Sequence, residues 1–288
     1  MGEITDALRR ARERGTDVEA PNAPPSQLAD APLLETAAPA APRAPSVEIS
    51  LDRGDEWPAR AIVVEPRGQV AEALRHLALK IRAELDRRRA RSFLVTSPLR
   101  SEGKSTLSCD LALALASLSR GRSVALVDFD LRRPSIARDL RIRPEAGIES
   151  YLTGQARLEQ ACVTIEKPAL DVYPCVAPHD AAHELLVLPQ TATLVRELER
   201  RYAVVVFDTP PTLLVPDTRI LLGLVPAFVV VARHGVTRKR ALAHLLDQLP
   251  RQQLLGAVLN GGPQPAHSRH YGYYSADSEE SDEAAAHG

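Results

Sequence analysis

The chain has 288 residues, of which 44% are apolar, so it can bury the core of one large domain with additional segments or of two smaller domains. Its 36 Lys and Arg residues nearly balance its 37 Asp and Glu residues, which argues against a generally basic surface of the kind that binds nucleic acid. We therefore expect no nucleic-acid partner.

The first 59 residues are predicted to lie outside the folded domain, as a short helix followed by a linker. Ile4, Leu8 and Ala11 recur at helical spacing among arginines, which indicates an amphipathic helix. This helix is either a solvated segment or a docking segment for a partner. Seven prolines follow between Pro21 and Pro45 without aromatic residues, so we expect a Pro- and Ala-rich disordered linker there.

From about residue 60 to 265, short Val- and Leu-rich runs alternate with helical stretches. The runs lack period-2 alternation, which is typical of strands that are buried on both faces. This pattern predicts one α/β domain with a doubly wound, mostly parallel sheet. The predicted strands are Phe93–Thr96, Ser123–Phe129, Leu170–Val176, Ala203–Asp208, Ala227–Ala232 and Leu254–Asn260. The predicted helices are Lys104–Arg120, Thr191–Arg201 and Thr237–Gln248.

One segment carries a phosphate-binding pattern, in which an apolar strand runs through SPLRSE into GKST and a helix. Gly103 lets backbone N–H groups approach phosphate oxygens, and the helix N-terminus adds further oriented N–H groups. Lys104 supplies positive charge for the β- and γ-phosphates, and the Ser105 hydroxyl can bind Mg²⁺. Pro98 stands where the full P-loop pattern has glycine, yet the flanking strand and helix favour a P-loop NTPase over a chance match. The predicted nucleotide-binding residues of this loop are Ser101, Glu102, Gly103, Lys104, Ser105 and Thr106.

Two further apolar strands end in aspartate. VALVDFD ends with Asp128 and Asp130, and VVVFD ends with Asp208. Because ligands of open parallel sheets bind outside the carboxyl ends of the strands, these carboxylates are predicted to meet the P-loop. A single aspartate of this kind is usually a helix cap or a turn former, but three together favour a site for ATP and Mg²⁺. The predicted Mg²⁺ ligands are Ser105, Asp128 and Asp208.

The segments TSPLRSEGKST, ALVDFDLRRP and VVVFDTPP resemble the Walker A, A′ and B motifs of bacterial tyrosine kinases, the BY-kinases of capsule and exopolysaccharide assembly. GIESYLTGQ, Asp217 and GAVLN are also similar to this family, and the resemblance covers residues 68–262. It implies an ATP-dependent protein-tyrosine autokinase that regulates the polymerisation and export of a polysaccharide. It also adds Asn260 to the nucleotide-binding residues.

The same resemblance assigns roles to the charged residues of the site. Lys104 and Mg²⁺ would stabilise charge on the transferred phosphoryl group, and Asp208 would hold the metal through water. Asp128 would accept the tyrosyl proton, and Asp130 would order metal and water. Residues 266–288 would form an acidic tail that carries the autophosphorylation sites Tyr271, Tyr273 and Tyr274.

Assembly is a separate expectation. The family's oligomerisation motif, Glu-x2-Arg-x2-Arg, would fall on Glu72, Arg75 and Ala78, so the second arginine is absent. A homo-oligomer, in which one chain phosphorylates the tail of another, is therefore a hypothesis that this departure weakens.

No stretch of the sequence is predicted to span a membrane. The longest uncharged segment, Ile220–Ala232, has thirteen residues and contains Pro226, whereas a spanning helix needs about 20 apolar residues. We expect a cytoplasmic protein that is recruited to the inner face of the plasma membrane. A separate transmembrane activator of the chain-length-regulator type is the expected partner.

Two other functions stay open. A P-loop ATPase switch, of the kind that partitions plasmids or places the division septum, shares the expected fold. Its loop reads Lys-Gly-Gly-x-Gly-Lys, whereas the corresponding positions here begin with Leu99, Arg100 and Ser101. The other alternative is a non-catalytic nucleotide-binding regulator of the same export machinery.

Overall fold

The structure is a computed structural model, and it describes residues 46–47, 67–119, 121 and 123–262. The strands are β1 (Ser46–Val47), β2 (Ser92–Thr96), β3 (Val124–Asp128), β4 (Val163–Ile165), β5 (Leu170–Tyr173), β6 (Val204–Asp208), β7 (Phe228–Arg233) and β8 (Leu254–Asn260). The helices are α1 (Gln69–Arg88), α2 (Lys104–Leu118), α3 (Ile136–Asp139), α4 (Ile148–Leu152), α5 (Ala182–Leu186), α6 (Pro189–Arg201), α7 (Asp217–Leu221) and α8 (Lys239–Gln248).

These strands form one sheet in the order β1-β4-β5-β3-β6-β2-β7-β8. Every neighbouring pair is parallel except β4 and β5, which are antiparallel. Helices connect the parallel strands and cover both faces of the sheet. The predicted α/β fold with a doubly wound, mostly parallel sheet is therefore confirmed.

Two apolar layers explain why the central strands are apolar at nearly every position. On one face, alternate strand residues such as Val95 pack with α1 and with Leu111 of α2. On the other face, Phe207 and its neighbours pack with Leu198 of α6 and Leu245 of α8. The central strands thus hold their carboxyl ends in fixed positions between two layers of helices.

The strand order brings the motif-bearing strand ends side by side. β6 lies between β3 and β2, so that Asp208 is level with Asp128 on one side and with Val95 on the other. The loop that follows β2 starts one residue beyond Thr96 and ends where α2 begins at Lys104. Two aspartates and the P-loop therefore share one edge of the sheet, as the sequence predicts.

Several elements were not predicted from the sequence, among them the short helices α3, α5 and α7 and the three elements described next. The helix α1, which carries Glu72, Arg75 and Ala78, packs along α2. The short strand β4 runs antiparallel at the sheet margin. Finally, β1 falls inside the predicted linker, because Ser46 and Val47 pair in parallel with β4.

The expected amphipathic helix around Ile4–Ala11, the stretch Pro21–Pro45 and the tail tyrosines lie outside the described residues. The expected domain boundaries at 60 and 265 also lie outside them and stay predictions. Within the part of the chain that the structure describes, no helix is both long and apolar enough to cross a bilayer.

Candidate nucleotide and phosphoryl-transfer site

The P-loop between β2 and α2 is held in shape by contacts from distant parts of the chain. Ser101 and Gly103 both have positive φ, at 61° and 93°. The Arg233 guanidinium at the end of β7 donates to the Ser101 carbonyl at 3.0 Å. The Glu102 carboxylate accepts the Leu99 N–H at 2.7 Å and the hydroxyl of Thr237. Glu102 was predicted to bind nucleotide, but its side chain is buried and serves the loop, so only its backbone can face a ligand.

Asn260, at the last position of β8, lies against the same loop. Its side-chain amide donates to the Glu102 carbonyl at 3.1 Å. Its backbone carbonyl accepts the His234 N–H at 2.8 Å. The amide nitrogen fills the space beside Gly103, where a Cβ would lie only 2.0 Å away. The structure therefore brings Asn260 to the P-loop, as the family resemblance implies.

Lys104 is the first residue of α2, and only 14% of its side chain is exposed. Its ammonium group donates to Asp130 Oδ2 at 2.8 Å and lies 3.3 Å from the Ser105 hydroxyl. Burial alone would lower the pKa of Lys104, but the negative charges of Asp208 and Asp130 outweigh burial and raise it. Lys104 is therefore charged and directed at the predicted carboxylates.

Asp128 and Asp208 are both buried, but their surroundings differ. Asp128 Oδ2 accepts the backbone N–H groups of Ser135 and Ile136, each at 3.1 Å, at the start of α3. Its Oδ1 accepts the Asp130 N–H at 3.2 Å. Asp208 Oδ1 accepts the Ser108 hydroxyl at 3.0 Å, whereas its Oδ2 has no hydrogen-bond partner among the described residues.

Lys104 balances only part of the negative charge of Asp128, Asp130 and Asp208. Burial and the nearby charge of Asp208 raise the pKa of Asp128 well above its ordinary value. Burial raises the pKa of Asp208 to about 6, even though the charge of Lys104 opposes that rise. One lysine thus faces three carboxylates, and an added cation would offset the remaining repulsion.

This arrangement fits Mg²⁺ by its donor chemistry. Mg²⁺ prefers oxygen ligands, and it usually takes one or two carboxylates together with water and phosphate oxygens. Asp208 Oδ2 is a candidate ligand atom of this type, because it is buried and makes no hydrogen bond within the part of the chain that the structure describes. Ser105, at the start of α2, lines the adjacent pocket and provides a hydroxyl.

A pocket of about 210 Å³ opens beside Lys104 and Ser105. Among the three predicted carboxylates, Asp130 is the one that lines this pocket, while Asp128 and Asp208 lie behind it. The remaining wall is partly basic and partly apolar. The basic residues are Arg100, Arg132 and Arg133. The apolar residues are Pro210, Pro211, Leu214 and Val215.

Arg132, in the pocket wall, is held by Asp217, which lies behind it. Asp217 is fully buried, and the Arg132 Nε donates to its Oδ2 at 2.9 Å. Arg132 also donates to the carbonyl of Asp180. The hydrogen bond with Asp217 raises the pKa of Arg132, so this guanidinium is a fixed structural cation. The sequence marks both residues by resemblance, but it does not indicate that they pair.

No protein-family model matches the chain. The tyrosine-protein kinase YwqD of Bacillus subtilis is 33% identical to it over 228 residues, which are 77% of this chain and 94% of YwqD. The chain belongs to the bacterial tyrosine kinase family. The predicted family and the predicted enzyme class, a protein-tyrosine kinase, are thereby confirmed.

Two further relatives differ in the share of their own length that matches this chain. The succinoglycan biosynthesis transport protein ExoP of Rhizobium meliloti is 27% identical over 206 residues, which are 70% of this chain but only 26% of ExoP. This chain therefore spans about a quarter of the length of that relative. The VpsO kinase domain is 30% identical with a TM-score of 0.58, covering 67% of this chain and 98% of that domain.

The rival class of ATPase switches shares the architecture. The septum site-determining protein MinD of Pyrococcus horikoshii, solved with Mg-ADP, has a TM-score of 0.50 and covers 63% of this chain and 76% of its own. Because its sequence identity is 18%, this likeness shows the fold alone.

Proposed function

We propose that this family member is an ATP- and Mg²⁺-dependent protein-tyrosine autokinase that regulates the polymerisation and export of an exopolysaccharide or capsule. The observation that carries the proposal is the convergence of Lys104, Asp130 and Asp208 beneath a P-loop that opens into a pocket. The names of YwqD and the VpsO kinase domain support the kinase activity, and the name of ExoP supports the link to polysaccharide.

The P-loop supports nucleotide binding through its backbone and three side chains. The positive φ values at Ser101 and Gly103 give the loop the local shape that allows close approach of phosphate oxygens. Lys104, Ser105 and Thr106 occupy the first turn of α2, where oriented N–H groups attract anions. ATP is the proposed nucleotide, with Asn260 beside the loop completing the proposed binding set.

Ser105, Asp128 and Asp208 are the proposed ligands of the metal, directly or through water. When bound, Mg²⁺ would neutralise negative charge on the phosphates during transfer. Asp208 is the strongest of the three candidates, because one of its oxygens is free of other partners among the described residues. Asp128 is already held by three backbone N–H groups, so its carboxylate would contribute chiefly at longer range.

In the transfer itself, the tyrosyl oxygen would form a bond to the γ-phosphorus while the bond to the β-phosphate oxygen breaks. Lys104 stabilises the charge that moves toward the β-phosphate. The tyrosyl proton goes to a carboxylate, for which we propose Asp128. Asp130 is the rival acceptor, since it lines the pocket itself, and comparison of Asp128→Asn with Asp130→Asn under identical conditions distinguishes them.

The proposed substrates are Tyr271, Tyr273 and Tyr274, modified between chains. Trans phosphorylation requires an encounter of two copies. Of the family's oligomerisation motif, α1 retains Glu72 and Arg75, which form an ion pair with each other. Ala78 is fully buried against the core, so an arginine at this position would have to enter the apolar layer. A homo-oligomer therefore has to form without that arginine.

The proposed partner is a separate transmembrane activator of the chain-length-regulator type, which would recruit the cytoplasmic kinase to the inner face of the membrane. The relationship to ExoP, a transport protein in which the matching part covers 26% of the length, supports a functional link to a membrane component. Co-purification of the chain with such a protein, and a higher rate of autophosphorylation in its presence, are the expected results.

The deciding experiment measures tyrosine phosphorylation with Mg-ATP. The Lys104→Met variant should transfer no phosphate, while remaining a competent substrate for a tail-deleted active chain. Modification of Tyr271, Tyr273 and Tyr274 in the Lys104→Met chain would support transfer in trans. ATP hydrolysis without phosphotyrosine would favour the ATPase switch, and nucleotide binding without either reaction would favour the non-catalytic regulator.

A further inference from the structure

Two arginines at the pocket have no assigned task. Arg100 lies in the P-loop and Arg133 follows motif A′, and both line the pocket beside Lys104. Both residues are exposed, and neither side chain makes an ion pair or hydrogen bond with another described residue. Arg132 is different, because Asp217 and the Asp180 carbonyl already engage its guanidinium. Arg100 and Arg133 are therefore available to an incoming anion.

The apolar residues that line the same pocket are suited to an aromatic ring. Of these, Pro210 and Pro211 are buried, while Leu214 is 46% exposed beside the opening. An apolar surface next to a phosphate-transfer site can cover the ring of a tyrosine while its hydroxyl approaches the reacting centre. The pocket thus combines an apolar lining for a ring with two exposed arginines, Arg100 and Arg133, which we call the cationic rim.

The chain's own tail has the complementary pattern. Five acidic residues and no Lys or Arg follow the last tyrosine: Asp277, Glu279, Glu280, Asp282 and Glu283. Asp277 stands three residues after Tyr274, and an extended chain spans about 10 Å over three residues. With Tyr274 at the reacting centre, Asp277 and the acidic residues after it would lie outside the pocket, where Arg100 and Arg133 could bind them.

The carboxylates of the site favour such a rim. Asp128, Asp130 and Asp208 lie together with a single lysine, so an acidic peptide would be repelled from the site without additional positive charge. Guanidinium groups pair with carboxylates in a bidentate manner, which suits this task better than a point charge.

We propose that Arg100 and Arg133 make this kinase select tyrosines that are followed by acidic residues, as in its own C-terminal segment. The inference deepens the proposed function and rests on it. Arg100 and Arg133 act as specificity residues: they bind the flanking carboxylates and leave the phosphoryl transfer to the residues beneath.

The test uses the intact chain as the enzyme and two synthetic peptides as substrates. One peptide has the sequence YGYYSADSEESDE, and its matched control, YGYYSANSQQSNQ, carries amides in place of the five carboxylates. At saturating Mg-ATP and low salt, the acidic peptide should show a KM at least about fivefold lower, as two surface ion pairs allow. This preference should weaken at high ionic strength, because salt screens exposed charges.

The combined Arg100→Gln and Arg133→Gln variant should raise the KM for the acidic peptide to that for the neutral one, rather than lower kcat. Arg138→Gln is the matched control, because Arg138 is 78% exposed on α3, pairs with Asp139 and does not line the pocket. This control should keep the acidic preference of the unmodified chain.

Each contrary outcome has a distinct meaning. Equal KM values for the two peptides with the unmodified chain overturn the inference and leave the kinase activity standing. A preference that survives in the double variant also overturns it, as does a raised KM for ATP with both peptides, which would make the arginines nucleotide ligands. If the unmodified chain phosphorylates neither peptide nor its own tail, the proposed function fails and the inference fails with it.

Discussion

The side-chain nitrogen of Asn260 lies where residue 103 must have no side chain: a Cβ on Gly103 would be 2.0 Å from it. Gly103 also has a φ of 93°, a conformation that L side chains rarely adopt. The end of β8 can therefore pack against the start of α2 only because residue 103 is a glycine.

Gly103→Ala should weaken nucleotide binding and lower the free energy of unfolding. The positive φ alone costs alanine about 1–2 kcal/mol, and the contact with Asn260 must move as well. Titration with a fluorescent ATP analogue and urea unfolding provide the two measurements. Adding Asn260→Ala should relieve the contact but not the backbone strain, so the double variant should recover only part of the stability. Full stability and affinity in Gly103→Ala would contradict this account.

Asp128→Asn and Asp208→Asn should have opposite effects on the metal-free protein. Whichever way the new amide of Asp128→Asn turns, its NH₂ group faces at least one backbone donor, which should cost about 1–3 kcal/mol. In Asp208→Asn the amide removes one of three neighbouring carboxylates and can still accept from Ser108, so stability at pH 7.5 should rise. Thermal unfolding without added metal distinguishes the two.

With Mg-ADP bound, the unmodified chain should be more stable than Asp208→Asn. Mg-ADP is expected to raise the melting temperature of the unmodified chain, because a ligand that binds only the folded state stabilises it. In Asp208→Asn this increase should be much smaller, since the unpartnered carboxylate oxygen is replaced. An undiminished increase would remove Asp208 from the proposed metal ligands.

Arg132→Leu should destabilise the fold, because it leaves the buried carboxylate of Asp217 without its charged partner. Because 26% of the Arg132 side chain is exposed at the pocket, the expected cost is about 1–3 kcal/mol, that of leaving a buried acceptor without its partner. Arg138→Leu, at an exposed pair with Asp139, should change stability by less than about 1 kcal/mol. Urea unfolding of the two variants side by side measures the difference, and equal midpoints would show that the Arg132 pair is not a structural requirement.

Tyr202→Phe tests a buried network at the margin of the sheet. The Tyr202 hydroxyl donates to Asp171 Oδ2 at 2.7 Å and lies 2.8 Å from the hydroxyl of Tyr173. Burial raises the pKa of both tyrosines, so they stay protonated and act as hydrogen-bond donors. Losing this hydroxyl should cost about 1–3 kcal/mol, because buried polar groups are left unpaired. The same change at Tyr151, a partly buried residue for which no such network is found in the described chain, is the control.

Much of the candidate site could be predicted from the sequence because its parts follow strands. Lys104 follows β2, Asp128 ends β3 and Asp208 ends β6, and a parallel sheet necessarily brings such ends to one edge. The position of each residue at the end of a strand is therefore enough to predict that they meet, and the order of the strands within the sheet is not needed.

Other parts depend on pairings between distant residues, which no local pattern encodes. The carboxylate of Glu102 turns away from the ligand side because Thr237, 135 residues later, is there to bind it. Arg132 and Asp217 are likewise separated by 85 residues. The helix α1 is a different case, since the sequence does contain its signal. Its buried residues follow helical spacing, and they are Ala71, Leu74, Ala78, Ile81 and Leu85.

The two residues of β1 have a consequence for how the domain behaves in solution. Ser46 and Val47 pair with Thr164 and Ile165, and so they cover the outer margin of β4. A chain shortened to begin at residue 60, as the predicted linker would suggest, loses this cover and leaves the N–H and C=O groups of that margin open. Open sheet margins recruit strands from other copies, so the shortened chain should precipitate or form non-native dimers more readily than one that retains Ser46 and Val47.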